Sequence, residues 1–194
     1  MADAKLTALT EDTTPTSDDL VYTVTDPSGT PASRKATLRN AQLPGTVVQV
    51  VKVNSSAAAT GTTDIPKDDT IPQNSEGDEF LTLAITPLST TNVLVIEAQV
   101  LLSSDTGSRW LAAALFQDTT ANALAADIQW CATGTETQKL IVRHTMDAGT
   151  TSATTFKIRG GSSGTGTVTF NGNSGARVFG GVTLSSIVIY EYKV

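Results

Sequence analysis

The sequence has 194 residues, of which 39% are hydrophobic and 16% are charged, so it can bury the core of one main globular domain but not of two full-sized ones. Its formal net charge of -6 disfavours nucleic acids and anionic membrane surfaces as partners, because both are negatively charged. A single cysteine and a single histidine exclude an intrachain disulfide, a cysteine-based zinc site and a multi-histidine metal site.

The sequence carries no secretory or membrane-spanning signal. The N-terminus lacks a basic stretch followed by an apolar run, so we expect a chain made in the cytoplasm of its host. The longest unbroken apolar stretch, residues 110–116, is far shorter than the 18 or so residues that a membrane span needs. We therefore expect no membrane insertion.

Residues 1–45 are predicted to form a small N-terminal module. Residues 20–24 have the pattern of a strand, and the turn at 26–29 has proline second and glycine fourth, as type I turns prefer. Residues 34–38 then return as a second strand or enter a short helix. A hairpin of this size buries too little apolar surface to stand alone, so we expect it to dock onto another surface.

Strand patterns dominate residues 46–194, and no long amphipathic helix is predicted there. Alternating apolar and polar residues are typical of half-buried strands, and glycine-rich turns separate them. The chain is predicted to be all-β, with an antiparallel β-sandwich of jelly-roll type after the N-terminal hairpin. One helical turn is predicted at residues 121–126. The predicted strands cover residues 47–53, 81–85, 92–102, 110–117, 140–146, 155–159, 167–170 and 186–192.

The strand over residues 110–117 is apolar on both faces. It is therefore either a central buried strand or a strand that faces a partner subunit. The single histidine shares a strand face with three apolar residues, which favours a core or interface position over catalysis. The candidate subunit-interface residues are Trp110, Leu111, Leu115, Phe116 and His144.

No catalytic, cofactor or metal site is predicted. The acidic clusters at 68–69 and 76–79 lack the spacing of a calcium-binding loop and are interpreted as solvated loops. The glycine-rich stretch 161–166 lies between two strands and lacks the ending of a phosphate-binding loop, so it is interpreted as a turn. Cys131 is interpreted as a small buried hydrophobe. Two interpretations remain for the aromatic residues Trp110, Trp130, Tyr190 and Tyr192. They stack on sugars, or they pack in the protein interior, which is the commoner role of such residues.

Two stretches resemble bacteriophage virion proteins. Residues 5–43 contain KLTAL, then TP at 14–15, the strand DLVYTV, the turn GTP and RKATL. This order resembles the N-terminal module of tailed-phage tail fibres and tail-associated proteins. Residues 170–191, with FNGNSG, FGG and SSIVIYE, resemble the C-terminal ending of β-sandwich domains on phage fibres and head or tail appendages.

The resemblance implies a non-enzymatic structural protein on the virion surface. It implies a homotrimer in which the 1–45 module attaches to other virion proteins and a sandwich similar to that of tumour necrosis factor (TNF) projects as a knob. A tail-attached receptor-binding fibre is the first reading, with host surface glycan as a candidate partner. The residues that would anchor the module to the virion are Leu6, Leu9, Leu20, Tyr22, Val24 and Leu38.

Two alternatives stay open beside the fibre. The sequence has no heptad shaft and no Gly-X-Y run between module and knob, which a long fibre would need. A compact trimer that decorates or cements the phage head would have the same parts. A small polysaccharide depolymerase is the third hypothesis, because paired carboxylates on a β-sandwich could hydrolyse a glycosidic bond.

Overall fold

The computed structural model of the protein describes residues 16, 19–25, 32–37 and 42–194. The chain divides into two compact units, Met1–Thr46 and Val47–Val194. Within the described residues, no helix is both long and apolar enough to cross a membrane.

The first unit contains an antiparallel hairpin. Strand β1 (Leu20–Thr25) pairs with β2 (Ala32–Thr37), with Leu20 opposite Thr37 and Thr25 opposite Ala32. Residues 34–37 thus lie in a strand, the first of the two predicted alternatives, and Leu38 lies outside the described residues.

The second unit is built almost entirely of antiparallel strands, as predicted. A single 3₁₀ turn at Phe179–Gly181 interrupts them. Its strands are β3 (Val47–Ser55), β4 (Ala59–Gly61), β5 (Asp78–Ile85), β6 (Val93–Ser104), β7 (Arg109–Gln117), β8 (Ala125–Cys131), β9 (Thr137–Asp147), β10 (Thr154–Ser162), β11 (Val168–Phe170), β12 (Gly172–Asn173), β13 (Ala176–Arg177) and β14 (Ser185–Tyr192).

Two larger sheets form the sandwich. The four-stranded sheet has the order β5-β10-β7-β8, and the six-stranded sheet has the order β3-β14-β6-β11-β4, with β9 paired to the other edge of β6. Strands from the beginning and the end of the unit therefore alternate within each sheet. This long-range interleaving is the jelly-roll arrangement, and the predicted fold class is confirmed.

The main core lies between the two sheets. Inward side chains of β6 and β14 meet those of β7 and β10, because successive residues of a strand point to opposite faces. Each of the largest members is nearly or fully buried, and their burial supplies most of the favourable free energy of folding. They are Leu94, Ile96, Leu102, Leu111, Leu115, Leu140, Phe156, Ile158, Phe170, Ile187 and Ile189.

Three sequence predictions in this unit are decided by the structure. The helical turn at residues 121–126 is wrong: residues 125–131 form strand β8, which the sequence pattern had not revealed. The glycine-rich stretch 161–166 begins with the last two residues of β10, and its residues 163–166 form the predicted turn toward β11. Cys131 is fully buried in the main core, as predicted.

The edge strands β8 and β9 are joined across the side of the sandwich. The Asp127 carboxylate on β8 accepts a hydrogen bond from the backbone N–H of Ile141 on β9, at 2.9 Å. An unpaired edge N–H would otherwise be open to pairing with another chain. This contact therefore blunts one exposed strand edge.

Candidate oligomer interface on the six-stranded sheet

Strand β14 divides its side chains cleanly between the core and the outside. Ile187 and Ile189 are fully buried, whereas Val188, Tyr190 and Tyr192 on the alternate positions are only half-buried. The alternation of a pleated strand produces this division. The outward positions of β14 are therefore apolar or aromatic although they lie outside the core.

Register pairing extends the outward positions of β14 into rows across four strands. Each row takes one residue from β3, β14, β6 and β9, all on the outer side of the sheet. We call this surface the bare face. Its rows are Val47-Tyr192-Val93-Asp147, Val50-Tyr190-Val95-Thr145, Lys52-Val188-Glu97-Arg143 and Asn54-Ser186-Gln99-Ile141.

The bare face exposes large apolar side chains. Val50 is 52% exposed and Ile141 is 65% exposed, and Val47 at the end of the first row is exposed as well. Single apolar residues on a surface are ordinary, but a contiguous apolar patch marks an interaction site. The two apolar rows at one end of the bare face form such a patch.

The charges of the bare face are mixed in sign. Arg143 Nε lies 3.2 Å from Glu97 Oε1, and Lys52 and Asp147 occupy other positions of the same rows. A surface with balanced charge does not repel a second copy of itself, whereas a surface of one sign would. The electrostatics of the bare face are therefore compatible with self-association.

A groove crosses the bare face above β6. It has a volume of about 390 Å³ and is bounded by Ile141 and Arg143 on one side and by Ser186 and Val188 on the other. Shape complementarity in interfaces needs concave as well as convex surface. The groove supplies concave surface within an otherwise flat sheet.

An exposed apolar loop leads into β14 next to the bare face. Phe179 is 82% exposed, Val182 is 80% exposed and Leu184 is also exposed. Phe179, with a φ of 49°, is followed by Gly180 and Gly181, with φ values of 63° and 90°. Glycine adopts these left-handed angles without strain. The two glycines thus permit the tight turn that leaves the Phe179 side chain outside.

A buried carboxylate lies on the inner side of the same strand. Glu191 is fully buried, and its Oε1 accepts hydrogen bonds from the Leu88 backbone N–H and the Asn92 side chain, both at 2.7 Å. The Gln49 amide nitrogen lies 2.8 Å from Glu191 Oε2 in the orientation that satisfies both groups. Glu191 therefore ties the 88–92 loop and β3 to the end of β14.

The opposite outer face of the sandwich is covered over its strand β7 by the same chain. Ile65, which is 3% exposed, packs with Ala112, Ala114 and Phe116 on the outer side of β7. Arg159 of β10 donates hydrogen bonds to the carbonyl oxygens at the end of the same segment, 2.8 Å to Glu76 and 2.7 Å to Gly77. The segment 62–77 thus forms a second small core over β7, while the outer sides of β5 and β8 keep exposed residues.

The predicted interface residues of β7 lie inside the chain. Leu111 and Leu115 belong to the main core, and Phe116 belongs to the small core beneath Ile65. The doubly apolar strand is therefore the central buried strand, the first of the two predicted alternatives. These three residues have no surface left for a partner subunit, and we do not propose them as an interface.

The other two predicted interface residues are partly accessible. His144 is half-buried on the inward side of β9, next along that face from Val142. Trp110 is half-buried on the outer side of β7 and packs against Trp130. Neither belongs to the bare face, whose residues the sequence analysis had not grouped together.

The predicted anchor residues lie in the first unit. Leu20 is 58% exposed at the start of β1. Tyr22 and Val24 lie on the same strand, two and four residues further on. Leu6, Leu9 and Leu38 lie outside the described residues.

The acidic clusters form structural contacts. Asp78 accepts a hydrogen bond from the Thr63 backbone N–H at 2.8 Å, and Glu79 lies 3.3 Å from Lys157 Nζ. Across the described residues, no group of three or more His, Cys, Asp or Glu side chains is placed to hold a metal ion. The predicted solvated loop at 76–79 in fact includes the start of β5.

The single thiol is held in its protonated form. Burial raises the pKa of Cys131, and the neighbouring Glu136 carboxylate raises it further. Its Sγ lies 3.0 Å from the backbone carbonyl oxygen of Thr133. The thiolate is the reactive form of cysteine, so this environment suppresses reactivity.

No protein-family model and no curated protein matches the chain. Among solved structures, the Eiger TNF of S. frugiperda is 10% identical with a TM-score of 0.41, over 73% of this chain and 92% of that one. A structure of infectious bursal disease virus, Gt strain, is 13% identical with a TM-score of 0.36, over 87% and 41%. The VP2 subviral particle of the same virus is 10% identical with a TM-score of 0.34, over 91% and 43%. The chain spans less than half of these viral chains, and the likeness concerns the fold alone.

Proposed function

We propose that the protein is a non-enzymatic structural protein of a bacteriophage virion. Three copies assemble through the bare face, the N-terminal module attaches to another virion protein, and the sandwich is presented to the host surface as a short tail-attached fibre. The bare face carries the assembly part of this proposal. The motif order in residues 5–43 supports the virion attachment.

The occupant proposed for the bare face is a second copy of the chain. The face combines contiguous apolar rows with a balanced set of charges, including the Arg143–Glu97 pair. A chain that covers one outer face with its own segment 62–77 and leaves the other apolar needs a partner for the second. A copy of itself is always present at equal concentration, and most soluble oligomers are symmetric homo-oligomers.

The mass of the purified protein in solution tests the assembly. Light scattering after size exclusion is expected to give three times the chain mass of 20.2 kDa. The double variant Val50→Glu/Ile141→Glu is expected to give the single-chain mass, because two carboxylates would be buried without partners. The matched control Ile71→Glu/Ile128→Glu changes two residues of similar exposure elsewhere and should stay trimeric.

Truncation identifies which unit holds the copies together. A chain that begins at Val47 keeps the whole second unit and is expected to remain trimeric. A truncated chain of single-chain mass would move the interface to the first unit and contradict the role of the bare face. A full chain that is monomeric at high micromolar concentration would contradict assembly altogether.

Incorporation into particles tests the attachment. Virions assembled with the chain that begins at Val47 are expected to lack it, while the purified truncated protein stays folded. Particles that still carry the truncated protein would contradict the anchoring role of the N-terminal module.

A capsid decoration protein is the second candidate, favoured by one observation. Sandwich strand β3 begins at Val47, directly after the first unit, so no shaft separates the two. Imaging of virions with a label on Val194 distinguishes the candidates. Label at the tail supports the fibre, and hundreds of labels over the head would replace it with the decoration protein.

A further inference from the structure

The outer side of edge strand β8 is exposed and has a cavity at its start, and we call this surface the groove along β8. At one end, a cavity of about 420 Å³ is lined by residues 68–72 and by residues 123–126. This volume is within the range of small-molecule sites. At the other end, Lys67 of the same segment lies over the ring of Trp110, with Nζ 4.4 Å from its centroid. The segment 62–77 and strand β8 therefore border both the cavity and the ring of Trp110.

Strand β8 connects the two ends along a single face. Ala126, Ile128 and Trp130 alternate along the strand and pair with the outward residues of β7. All three are exposed, because the segment that carries Ile65 packs over β7 and meets β8 only at its first residues, where residues 68–72 face Ala125 and Ala126 across the cavity. Four strand residues span about 13 Å. The groove is therefore long enough for an extended ligand.

Trp130 forms an aromatic platform at the end of this groove. Its side chain is 46% exposed, which is unusual for so large an apolar group. The ring packs against Trp110 in a T-shaped arrangement, with centroids 5.4 Å apart and planes at 64°. This contact fixes the orientation of the Trp130 ring. A fixed, exposed aromatic ring can stack on the C–H surface of a sugar.

The charges around the platform exclude several classes of ligand. Lys67 lies over the ring of Trp110, and its positive charge repels a cationic ligand from the adjoining ring of Trp130. Asp68 and Asp69 line the cavity and repel phosphates and acidic sugars. The overall charge of -6 adds to this repulsion. A neutral ligand that carries hydroxyl groups is therefore the class of ligand that fits the groove.

The carboxylates of the cavity are suited to accept hydrogen bonds from hydroxyls. Asp68 Oδ1 is held by the Thr70 hydroxyl at 2.6 Å and by the Thr70 backbone N–H at 2.9 Å. These two hydrogen bonds, the side-chain one first, hold the pKa of Asp68 below its usual value. The group therefore stays an acceptor at mildly acidic as well as neutral pH.

We propose that the groove along β8 binds a neutral saccharide chain, with one ring stacked on Trp130 and hydroxyls bonded to Asp68, Asp69 and Lys67. The site deepens the proposed function, since it names the host-surface chemistry that an outward-facing sandwich would meet. Its residues are separate from those of the bare face.

Titration of the purified full-length protein with neutral oligosaccharides tests the site. The panel consists of oligomers of glucose, galactose, mannose and N-acetylglucosamine, each in separate titrations followed by tryptophan fluorescence and calorimetry. At least one series is expected to bind and to shift the emission of Trp130. The Trp130→Ala variant should weaken that binding about tenfold or more, because the stacking surface is lost.

Two further variants separate stacking from misfolding. Phe179→Ala removes an aromatic ring that is more exposed than Trp130 but distant in sequence from the groove, and it should bind like the unaltered protein. Asp68→Asn keeps the shape of the cavity and should weaken binding several-fold. Thermal melting of each variant checks the fold.

The outcomes that would overturn the site are distinct. Absence of binding to every neutral oligosaccharide at 10 mM or so would overturn it, as would binding that Trp130→Ala and Asp68→Asn leave unchanged. Binding of an acidic polysaccharide or of a protein partner through Trp130, in place of a neutral sugar, would also overturn it. None of these results bears on the solution mass or on particle incorporation, which test the proposed function separately.

Discussion

The two outer faces of the sandwich differ in whether their apolar side chains are covered by the chain itself. On the four-stranded sheet, Ile65 at 3% exposure covers Ala112, Ala114 and Phe116. On the six-stranded sheet, Val50 at 52% exposure lies open in one row with the half-buried Tyr190 and Val95. Both faces carry apolar side chains, but only those over β7 are covered by the chain's own segment. This difference is the basis for the proposal that another molecule covers the bare face.

The covering segment also explains why the groove along β8 exists. The segment 62–77 reaches the outer side of β7, and Arg159 holds its end through the carbonyl oxygens of Glu76 and Gly77. The segment meets β8 only at Ala125 and Ala126, so Ile128 and Trp130 stay exposed. One segment therefore both covers the small core and borders the surface proposed to bind a saccharide.

The largest expected effect concerns the inner side of β14, beneath the bare face. Replacing Glu191 with alanine leaves the buried donors of Leu88, Asn92 and Gln49 without their acceptor. We expect the free energy of unfolding to fall by about 4 kcal/mol, since each of these donors loses a charge-assisted hydrogen bond. Urea denaturation measures the loss. Glu191→Gln keeps an acceptor oxygen and should lose less than half as much; equal losses would show that the hydrogen bonds do not matter.

A matched pair of isoleucines tests the contrast between the covered and the bare face. Ile65→Ala should lower the free energy of unfolding by about 3 kcal/mol, because it opens a cavity over Phe116. Ile141→Ala should change it by less than about 0.5 kcal/mol when the protein is dilute enough to be dissociated. Equal values for the two variants would remove the distinction between the faces.

Cysteine labelling compares the inside of the sandwich with its surface. Cys131, with its raised pKa and full burial, should react with a maleimide at pH 8 at least a hundredfold more slowly in the native protein than in guanidinium. Thr82→Cys adds a thiol at an exposed position on the outer side of β5 and should react at once. Fast labelling of Cys131 in the native protein would mean that the core opens there.

The smallest expected effect is a pH dependence at the end of the sandwich. The pKa of Asp105 is lowered mainly by the Thr167 backbone N–H, which donates to Oδ1 at 2.8 Å. A carboxyl whose pKa is lower in the folded state stabilises the fold above its unfolded pKa, near 3.8, and loses that contribution as the pH falls through the folded value.

The Asp105→Asn variant isolates this contribution. Since Asp105 is exposed, the effect should be well below about 1 kcal/mol. Thermal melting between pH 6 and pH 2, in steps of about half a unit around the unfolded pKa, should show a shallower decline in the variant. Parallel curves would contradict the assigned hydrogen bond.

Most of the strands could be predicted because alternation is a local property. The pattern of Leu94, Ile96 and Ala98 against Glu97 and Gln99 follows directly from the pleat of β6. Strand β8 was missed because the alanines at its start favour helix and because the alternation of Asp127 and Gln129 with Ile128 and Trp130 is only four residues long. Its identity as a strand comes from seven backbone pairings with β7, which no local pattern contains.

The candidate sites depended on neighbours that are far apart in sequence. Val50 and Tyr190 lie opposite each other across 140 residues, so their shared apolar row could not be read from either strand alone. The aromatic residues were identified as candidates for sugar stacking, but the choice of Trp130 needed its exposure and its contact with Trp110.

By itself, the sequence determined the strand pattern, the apolar residues available for the core, the absence of an intrachain disulfide and the acidic net charge. Each of these properties depends on residue type or on spacing along one strand. Only the tertiary structure decided which apolar faces are closed. The double-sided apolar strand β7 is buried because Ile65, more than forty residues earlier, returns across it. Burial depends on which segments meet in space, and that is a property of the whole chain.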